Sequence, residues 1–298
     1  MLIDIHTHIT LDNYPEFSRV LQNRPGFTAD TLLKRMDMEG IDRSVLLPLN
    51  APENLDFYGV AGNTQCIDAF RRHPDRFDVF CSIDPRVLVN GPDGRLRQLF
   101  EIYRDLGCKG LGEICAALYV DDERFIRLFQ MAGEFKMPMI FHFQHPGQWS
   151  YGAVDESGLP HLERALKLCP DSIFLGHSPC FWNEIDGTLS AEEKAQYPTN
   201  TYDIKGVLWE MFEKYPNLYG DISAGSAYRA LSKDPKGYEF LQKFHKKICF
   251  GTDRFSSIDE PVPPIIGYLK DGVESGKITK EAYDSITHKN YLKLVSES

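Results

Sequence analysis

His6 and His8 stand two residues apart in the opening run "LIDIHTH". In an extended strand alternate side chains share a face, so both imidazoles project to the same side. Two imidazoles converging at a strand end can hold one divalent cation. The same spacing also suits two histidines that only hydrogen-bond within a first strand, so the pair needs context before it counts as a site. Three further apolar runs supply it. "MPMIFHF" delivers His142, "SIFLGHS" delivers His177, and "KICFGTDRF" places Asp253 just past its apolar residues. A core histidine or a helix-capping aspartate explains any one of these alone. Four runs ending in the same residue types is the pattern of a ligand set.

A second carboxylate comes from "KGLGEI". Lys109, Leu111 and Glu113 alternate onto one face of the expected strand, and Glu113 lies about 13 Å nearer the loop end than Lys109. Glu113 is therefore the candidate for a metal centre and would bridge two ions if two are present. Lys109 belongs lower, paired or capping the base of the site. A Glu113 turned to the surface is the competing reading. Imidazole and carboxylate ligands fit Zn, with Mn or Ni as alternatives. Zinc lowers the pKa of its water from about 15.7 to about 7, which yields a nucleophile at neutral pH. Asp253 would accept the proton and return it to the leaving group. His177, or a second ion, would polarise the scissile carbonyl of an amide, lactone or ester.

These residues need a scaffold that gathers strand ends. Short β-branched runs are expected as strands at 2–6, 44–47, 77–83, 109–114, 138–143, 172–177, 217–223 and 247–252. Helical patterns lie between them. "TADTLLKRMDMEG" opens on a Thr28 or Asp30 cap and closes at Gly40. "DDERFIRLFQMAGEFKM" puts Phe125, Leu128, Phe129 and Ala132 on one stripe, and "ITKEAYDSITHKNYLKLV" starts from a Thr279 cap. Eight strand–helix repeats predict an α/β fold, a single (β/α)8 TIM barrel over 1–298, in which catalytic groups come from the C-terminal strand ends. A doubly wound open sheet often carries a Gly-rich turn after its first strand, whereas here that strand runs into His-Thr-His.

Specificity is expected in the loops. The longest interruption, about 178–200, is rich in turn and aromatic residues and reads as a substrate-covering loop. "SAGSAYRAL" offers Ser226, Tyr228 and Arg229. An arginine at a barrel mouth can clamp a carboxylate by two parallel hydrogen bonds. Arg229 can equally begin a solvated helix, and Arg254 carries the same ambiguity. His145, Trp149, Tyr151 and Trp182 follow the fifth and sixth strands, where they either wall a ligand or pack their own loops.

Composition narrows the class. The chain has 298 residues, 42% hydrophobic and 26% charged, with 33 Lys plus Arg against 43 Asp plus Glu and a net charge of −10. That length buries a sizeable core without staples. An acidic chain without a basic cluster argues against nucleic acid as the partner and leaves a small-molecule substrate, with self-association open. No apolar run has membrane-spanning length, and the first residues lack a basic, signal-like start. Seven cysteines without a CxxC pair read as reduced thiols of a cytoplasmic protein, Cys115 and its fellows serving in packing.

Taken in order, "DIHTH", a strand-five histidine, "LGHS", "GDIS", "CFGTD" and the closing "ITKEAYDSITHKNYLKLV" resemble the amidohydrolase superfamily. More narrowly, the chain resembles the metal-dependent hydrolase family that also contains the aminocarboxymuconate-semialdehyde decarboxylases, over nearly its whole length from Leu2 to about Leu294. The resemblance implies that His6, His8, His142 and Asp253 bind metal, while His177 binds a second ion or assists chemistry. One departure stands out. Decarboxylase-like relatives usually end strand four in a Lys-Leu-His type sequence, whereas Gly-Glu-Ile here is similar to the binuclear TatD-type hydrolases. A metal-dependent hydrolase is the leading expectation and a non-oxidative decarboxylase of the same fold the alternative. A non-catalytic metal-binding barrel fits less well, because no expected ligand position holds an inert residue.

Overall fold

The computed structural model describes residues 1–10, 26–52, 59–88, 93–148, 151–255 and 257–296. Along the chain lie β1 (Ile3–Thr7), α1 (Ala29–Glu39), β2 (Arg43–Leu46), α2 (Asn63–Arg72), β3 (Phe77–Cys81), α3 (Asp93–Asp105) and β4 (Cys108–Ile114). Next come α4 (Glu123–Glu134), β5 (Met139–Gln144), β6 (Ala153–Val154), α5 (Pro160–Leu168) and β7 (Phe174–His177). The short helices α6 (Pro179–Trp182) and α7 (Ala191–Lys194) precede α8 (Val207–Lys214), β8 (Leu218–Asp221), α9 (Ala224–Ser232), α10 (Lys236–Phe244) and β9 (Ile248–Cys249). The chain closes with α11 (Pro264–Glu274), α12 (Lys280–Asp284), a π-helical turn (Ser285–Lys289) and α13 (Asn290–Leu294). No described helix is long and apolar enough to cross a membrane.

Eight strands pair in parallel in the order β1-β2-β3-β4-β5-β7-β8-β9, with the two-residue β6 attached to β5. The residues after β9 close the ring onto β1. Ile5 N donates to Phe250 O (3.0 Å), Asp253 N to His6 O (2.8 Å) and His8 N to Arg254 O (2.8 Å). This is the expected (β/α)8 barrel. Its capping signals act where the sequence places them. The Thr28 hydroxyl accepts from Thr31 N at the start of α1, Gly40 ends it at φ 72°, and Thr279 accepts from Ala282 N to open α12. The α4 stripe of Phe125, Leu128, Phe129 and Ala132 is fully buried against the sheet.

The strands carry two apolar layers. Val79, Leu111, Phe141 and Phe174 belong to the cluster shared with the helices, while Ile3, Ile5, Phe80, Ile140 and Leu175 form a separate cluster inside the barrel. At the base of that interior the Asp78 carboxylate accepts from Arg43 Nη1 (2.9 Å), Lys109 Nζ (2.8 Å) and Tyr291 OH (2.8 Å). Lys109 is thus paired low in the barrel.

Two strands switch face near the mouth. In β1 the register shifts between Asp4 and Thr7, so the interior parity passes from Ile3 and Ile5 to His6 and His8. Asp4 braces this bulge by accepting from His6 N (3.0 Å) and from Thr252 N (2.9 Å). In β4 the register shifts twice, between Cys108 and Leu111 against β3 and between Leu111 and Ile114 against β5. This corrects the expectation that Lys109, Leu111 and Glu113 share one face. Leu111 packs with the helix layer, whereas Lys109 and Glu113 serve the interior.

Candidate metal centre

His6 and His8 face each other across the mouth with their Nε2 atoms 3.0 Å apart. The outer nitrogen of each ring is already committed. His8 Nδ1 donates to Leu47 O at 2.7 Å, and His6 Nδ1 donates to Asp221 Oδ2 at 2.6 Å. With both Nδ1 atoms protonated, two Nε2 lone pairs point at one another, and only a cation or a proton between them relieves the repulsion. The donor chemistry therefore fits a divalent metal ion.

Glu113, 2% exposed, brings its two oxygens to different partners. Oε2 lies 3.4 Å from His8 Nε2 and 3.7 Å from His6 Nε2. Oε1 lies 2.9 Å from His142 Nδ1 and 4.0 Å from His177 Nε2. Asp253 spans the same space, with Oδ1 3.5 Å from His6 Nε2 and 3.4 Å from His8 Nε2, and Oδ2 3.8 Å from His177 Nε2. Three overlapping triads have ligand atoms mutually within 4.8 Å: His6/His8/Glu113, His6/His177/Asp253 and Glu113/His142/His177. The six residues singled out from sequence as ligands thus lie together at the strand ends. His142 stacks at a tilt on Tyr151, with ring centroids 4.4 Å apart.

Burial and charge pull against each other throughout. Burial disfavours a charged His6, yet the Asp221 and Asp253 carboxylates outweigh it and hold its pKa well above the ordinary histidine value. For His8, burial is likewise overcome by hydrogen bonds to Asp253 and Glu113, and the pKa rises to about 9. Burial would raise Glu113, but His142, His6 and His8 hold it well below the ordinary glutamate value. Asp253 is lowered in the same way, burial being outweighed by His6 and His8. His177 goes down to about 4, through burial and the neighbouring His6 charge. Protons and a divalent cation therefore compete for the lone pairs of His6 and His8. Zinc binding at pH 7 is expected to release protons and to weaken steadily as the pH falls. Calorimetric titrations in buffers of differing ionisation enthalpy check this, and a buffer-independent heat would contradict it.

The loop candidates separate. Trp182 is a correction: its side chain is fully buried against Phe181 and Phe240, with Nε1 donating to Asp221 O at 2.7 Å, so it supports β8 rather than walling the mouth. The segment expected as a loop over about 178–200 holds the short helices α6 and α7. Tyr228 is half-buried and packs edge-on against Tyr268, within the helix layer rather than in the ligand cluster. Arg254 is buried and paired with Glu39 (2.9 Å) and Glu260 (2.5 Å), so it does not serve as a free clamp. His145 is buried and its Nδ1 donates to Asp155 O at 3.0 Å. Arg229 remains exposed, its guanidinium 5.1 Å from the Tyr197 ring centroid. Trp149 lies outside the described residues. The seven cysteines are buried and form no disulfide.

Sequence reasoning assigned no role to Asp221 or Ser223 of "GDIS". Asp221 orients His6, and the Ser223 hydroxyl touches both His6 and His177. The available signal was their spacing: Asp-x-Ser at a strand end repeats the period of His-x-His. Gly251 makes room for this packing. A methyl group there would lie 2.8 Å from Asp221 Oδ1, 2.9 Å from Ser223 Cβ and 3.0 Å from His6 Cβ. Gly251→Ala is expected to cost about 1–3 kcal/mol of stability and also to weaken zinc binding. Gly176→Ala, whose methyl meets the Phe181 ring at 2.2 Å, should cost stability alone. Denaturant melts and zinc titrations of the two variants distinguish these outcomes, and equal zinc affinities would refute the difference.

No family model matches the chain, and no curated protein matches it significantly. Solved structures do. A 2,6-dihydroxybenzoate decarboxylase from Rhizobium aligns at 19% identity and a TM-score of 0.57, over 99% of this chain and 98% of its own. A probable 2-pyrone-4,6-dicarboxylic acid hydrolase from Acinetobacter baumannii aligns at 12% identity and 0.60, again over 99% and 98%. An amidohydrolase from Burkholderia multivorans with bound Zn aligns at 12% and 0.65, over 99% of both chains. At these identities the comparisons establish the fold: the chain shares, end to end, the barrel architecture of amidohydrolases and of decarboxylases.

Proposed function

We propose that this protein is a metal-dependent hydrolase of the amidohydrolase type, acting on an amide, lactone or ester carbonyl of a small molecule. The observation that carries the reading is the facing pair of His6 and His8 Nε2 atoms, with Glu113 and Asp253 oxygens within 3.4 to 3.7 Å of both. His6, His8, Glu113 and Asp253 would hold the ion, with His142 and His177 on the far side of Glu113. The nitrogen and carboxylate donors suit Zn, and Mn or Ni fit the same donor types. A divalent cation there supplies Lewis acidity, enough to bring the pKa of water beside it from about 15.7 to about 7.

The chain's own groups do the rest. Asp253 is held ionised by His6 and His8 and its side chain is 24% exposed, so it can take a proton from an attacking water and return it to the leaving group. His177, fixed beside it, faces the carbonyl oxygen. Arg229, exposed beside the Tyr197 ring, would suit a carboxylate on the substrate.

A second reading, a non-oxidative decarboxylase, is favoured by the likeness to the Rhizobium decarboxylase. In it Asp253 would first take a proton from solvent water and then deliver it to the carbon that bears the carboxylate, as the bond to that carboxylate breaks and carbon dioxide leaves. The test is elemental analysis followed by a screen of lactones, amides and carboxylated aromatics before and after chelation. The hydrolase reading expects bound divalent metal and chelator-sensitive release of acid without carbon dioxide. Carbon dioxide release would favour the second reading, and protein that purifies and turns over without metal would overturn both.

A further inference from the structure

Ser223 is the N-cap of α9, with φ −73° and ψ 168°. A serine at that position ordinarily turns its hydroxyl onto a backbone N–H of the first helical turn. Ser223 makes no such bond. Its side chain is fully buried, and its Oγ lies 2.8 Å from His177 Nδ1 and 3.2 Å from His6 Nδ1.

That hydroxyl has one hydrogen to place. His6 Nδ1 cannot accept it, because it carries the hydrogen donated to Asp221 Oδ2 at 2.6 Å. Toward His6, Oγ can only be an acceptor. Ser226 Oγ donates to the Ser223 carbonyl and leaves the hydroxyl untouched. Among the described residues, His177 Nδ1 is the acceptor that remains. We propose that Ser223 is a positioning residue that locks His177 in the tautomer carrying its proton on Nε2, so that His177 turns an N–H donor, not a lone pair, toward the metal centre.

Two consequences follow. A ring protonated on Nε2 does not ligate through that atom, so the centre takes one ion, on His6, His8, Glu113 and Asp253. The His177 Nε2–H lies 3.8 Å from Asp253 and 4.0 Å from Glu113, beyond hydrogen-bond distance of either. It is free to donate to the carbonyl oxygen of a substrate, a consequence that rests on the hydrolase reading. The lock itself does not.

Removing the hydroxyl gives His177 Nδ1 a different neighbour, since Asp221 Oδ2 is 3.7 Å away. With Ser223→Ala, the His177 proton is expected to move to Nδ1 and face Asp221, baring Nε2 toward Glu113 and His142. The variant should then bind two zinc ions where the parent binds one. A residue that merely supported the fold would lose metal on truncation and would not gain it.

The experiment is long-range proton–nitrogen correlation of the imidazole rings in zinc-loaded, nitrogen-15-labelled protein, with His177 assigned through His177→Gln, alongside zinc stoichiometry by elemental analysis. The lock predicts an Nε2–H tautomer in the parent, an Nδ1–H tautomer with two zinc ions in Ser223→Ala, and the parental tautomer in Ser223→Thr. An Nδ1–H tautomer in the parent overturns it even if the alanine variant fails to fold. An unchanged tautomer in a folded Ser223→Ala overturns it as well. Neither readout requires turnover, so failure of the hydrolase reading in a substrate screen is a separate result.

Discussion

Glu113→Gln is expected to leave a folded barrel that binds zinc about 10²-fold more weakly, or worse, than the parent. Glu113 is 2% exposed and is the one carboxylate with an oxygen toward His6 and His8 and another toward His142. Its negative charge is held in place by those rings and is what a divalent cation would meet on entering. Glutamine keeps the shape and one carbonyl oxygen but puts an amide N–H₂ where the second oxygen was. That group can only donate, so it turns a repulsive edge to the ion. The loss falls on affinity rather than on stability, because Glu113 pairs with the ligand rings and not with the packing clusters that hold the barrel. Competition against a chelator of known strength, with a melting curve to verify folding, measures it. Parental stoichiometry and affinity in a folded Glu113→Gln would remove Glu113 from the ligand set.

Much of this centre was readable because barrels put their chemistry where apolar strand becomes loop. His142, His177 and Asp253 each mark such a junction, and the structure brings them together with His6, His8 and Glu113. What strict alternation could not show is a change of parity inside a strand. Ile5 and His6 are neighbours, yet both face the interior, because the bulge braced by Asp4 inserts a residue between the packed layer and the ligand layer. The same device in β4 sends Leu111 to the helices and Glu113 to the mouth. Trp182 misled for a different reason. An aromatic residue in a long connection looks like a pocket wall, but this one lies six residues past the end of the apolar run "SIFLG" in the short helix α6, which folds back onto β8. The supporting groups were hidden by ordinariness. A serine and an aspartate at a strand end suggest a helix cap, and only in the folded barrel does Ser223 forgo its capping bond for two histidines.

Asp253→Asn is expected to retain the fold and much of the metal while losing a factor of about 10² to 10⁴ in turnover, the scale of general acid–base catalysis. The backbone argues for retention. Asp253 sits at φ 58°, in the left-handed region where asparagine and aspartate are the non-glycine residues most readily accommodated. Its N–H donates to His6 O whatever the side chain, so the β1–β9 closure survives the change. Asparagine also keeps one oxygen to set toward His6 and His8. What it lacks is basicity. The carboxylate is kept ionised by the imidazoles around it, so at neutral pH it can accept a proton, and no amide oxygen can replace it in that step. At about 1.36 kcal/mol per decade, the expected loss corresponds to roughly 3–5 kcal/mol on the barrier. The measurement is turnover of zinc-saturated variant and parent on the substrate identified by screening, with metal content determined on the same samples. A metal-loaded variant at near-parental rates would take the proton-transfer role from Asp253.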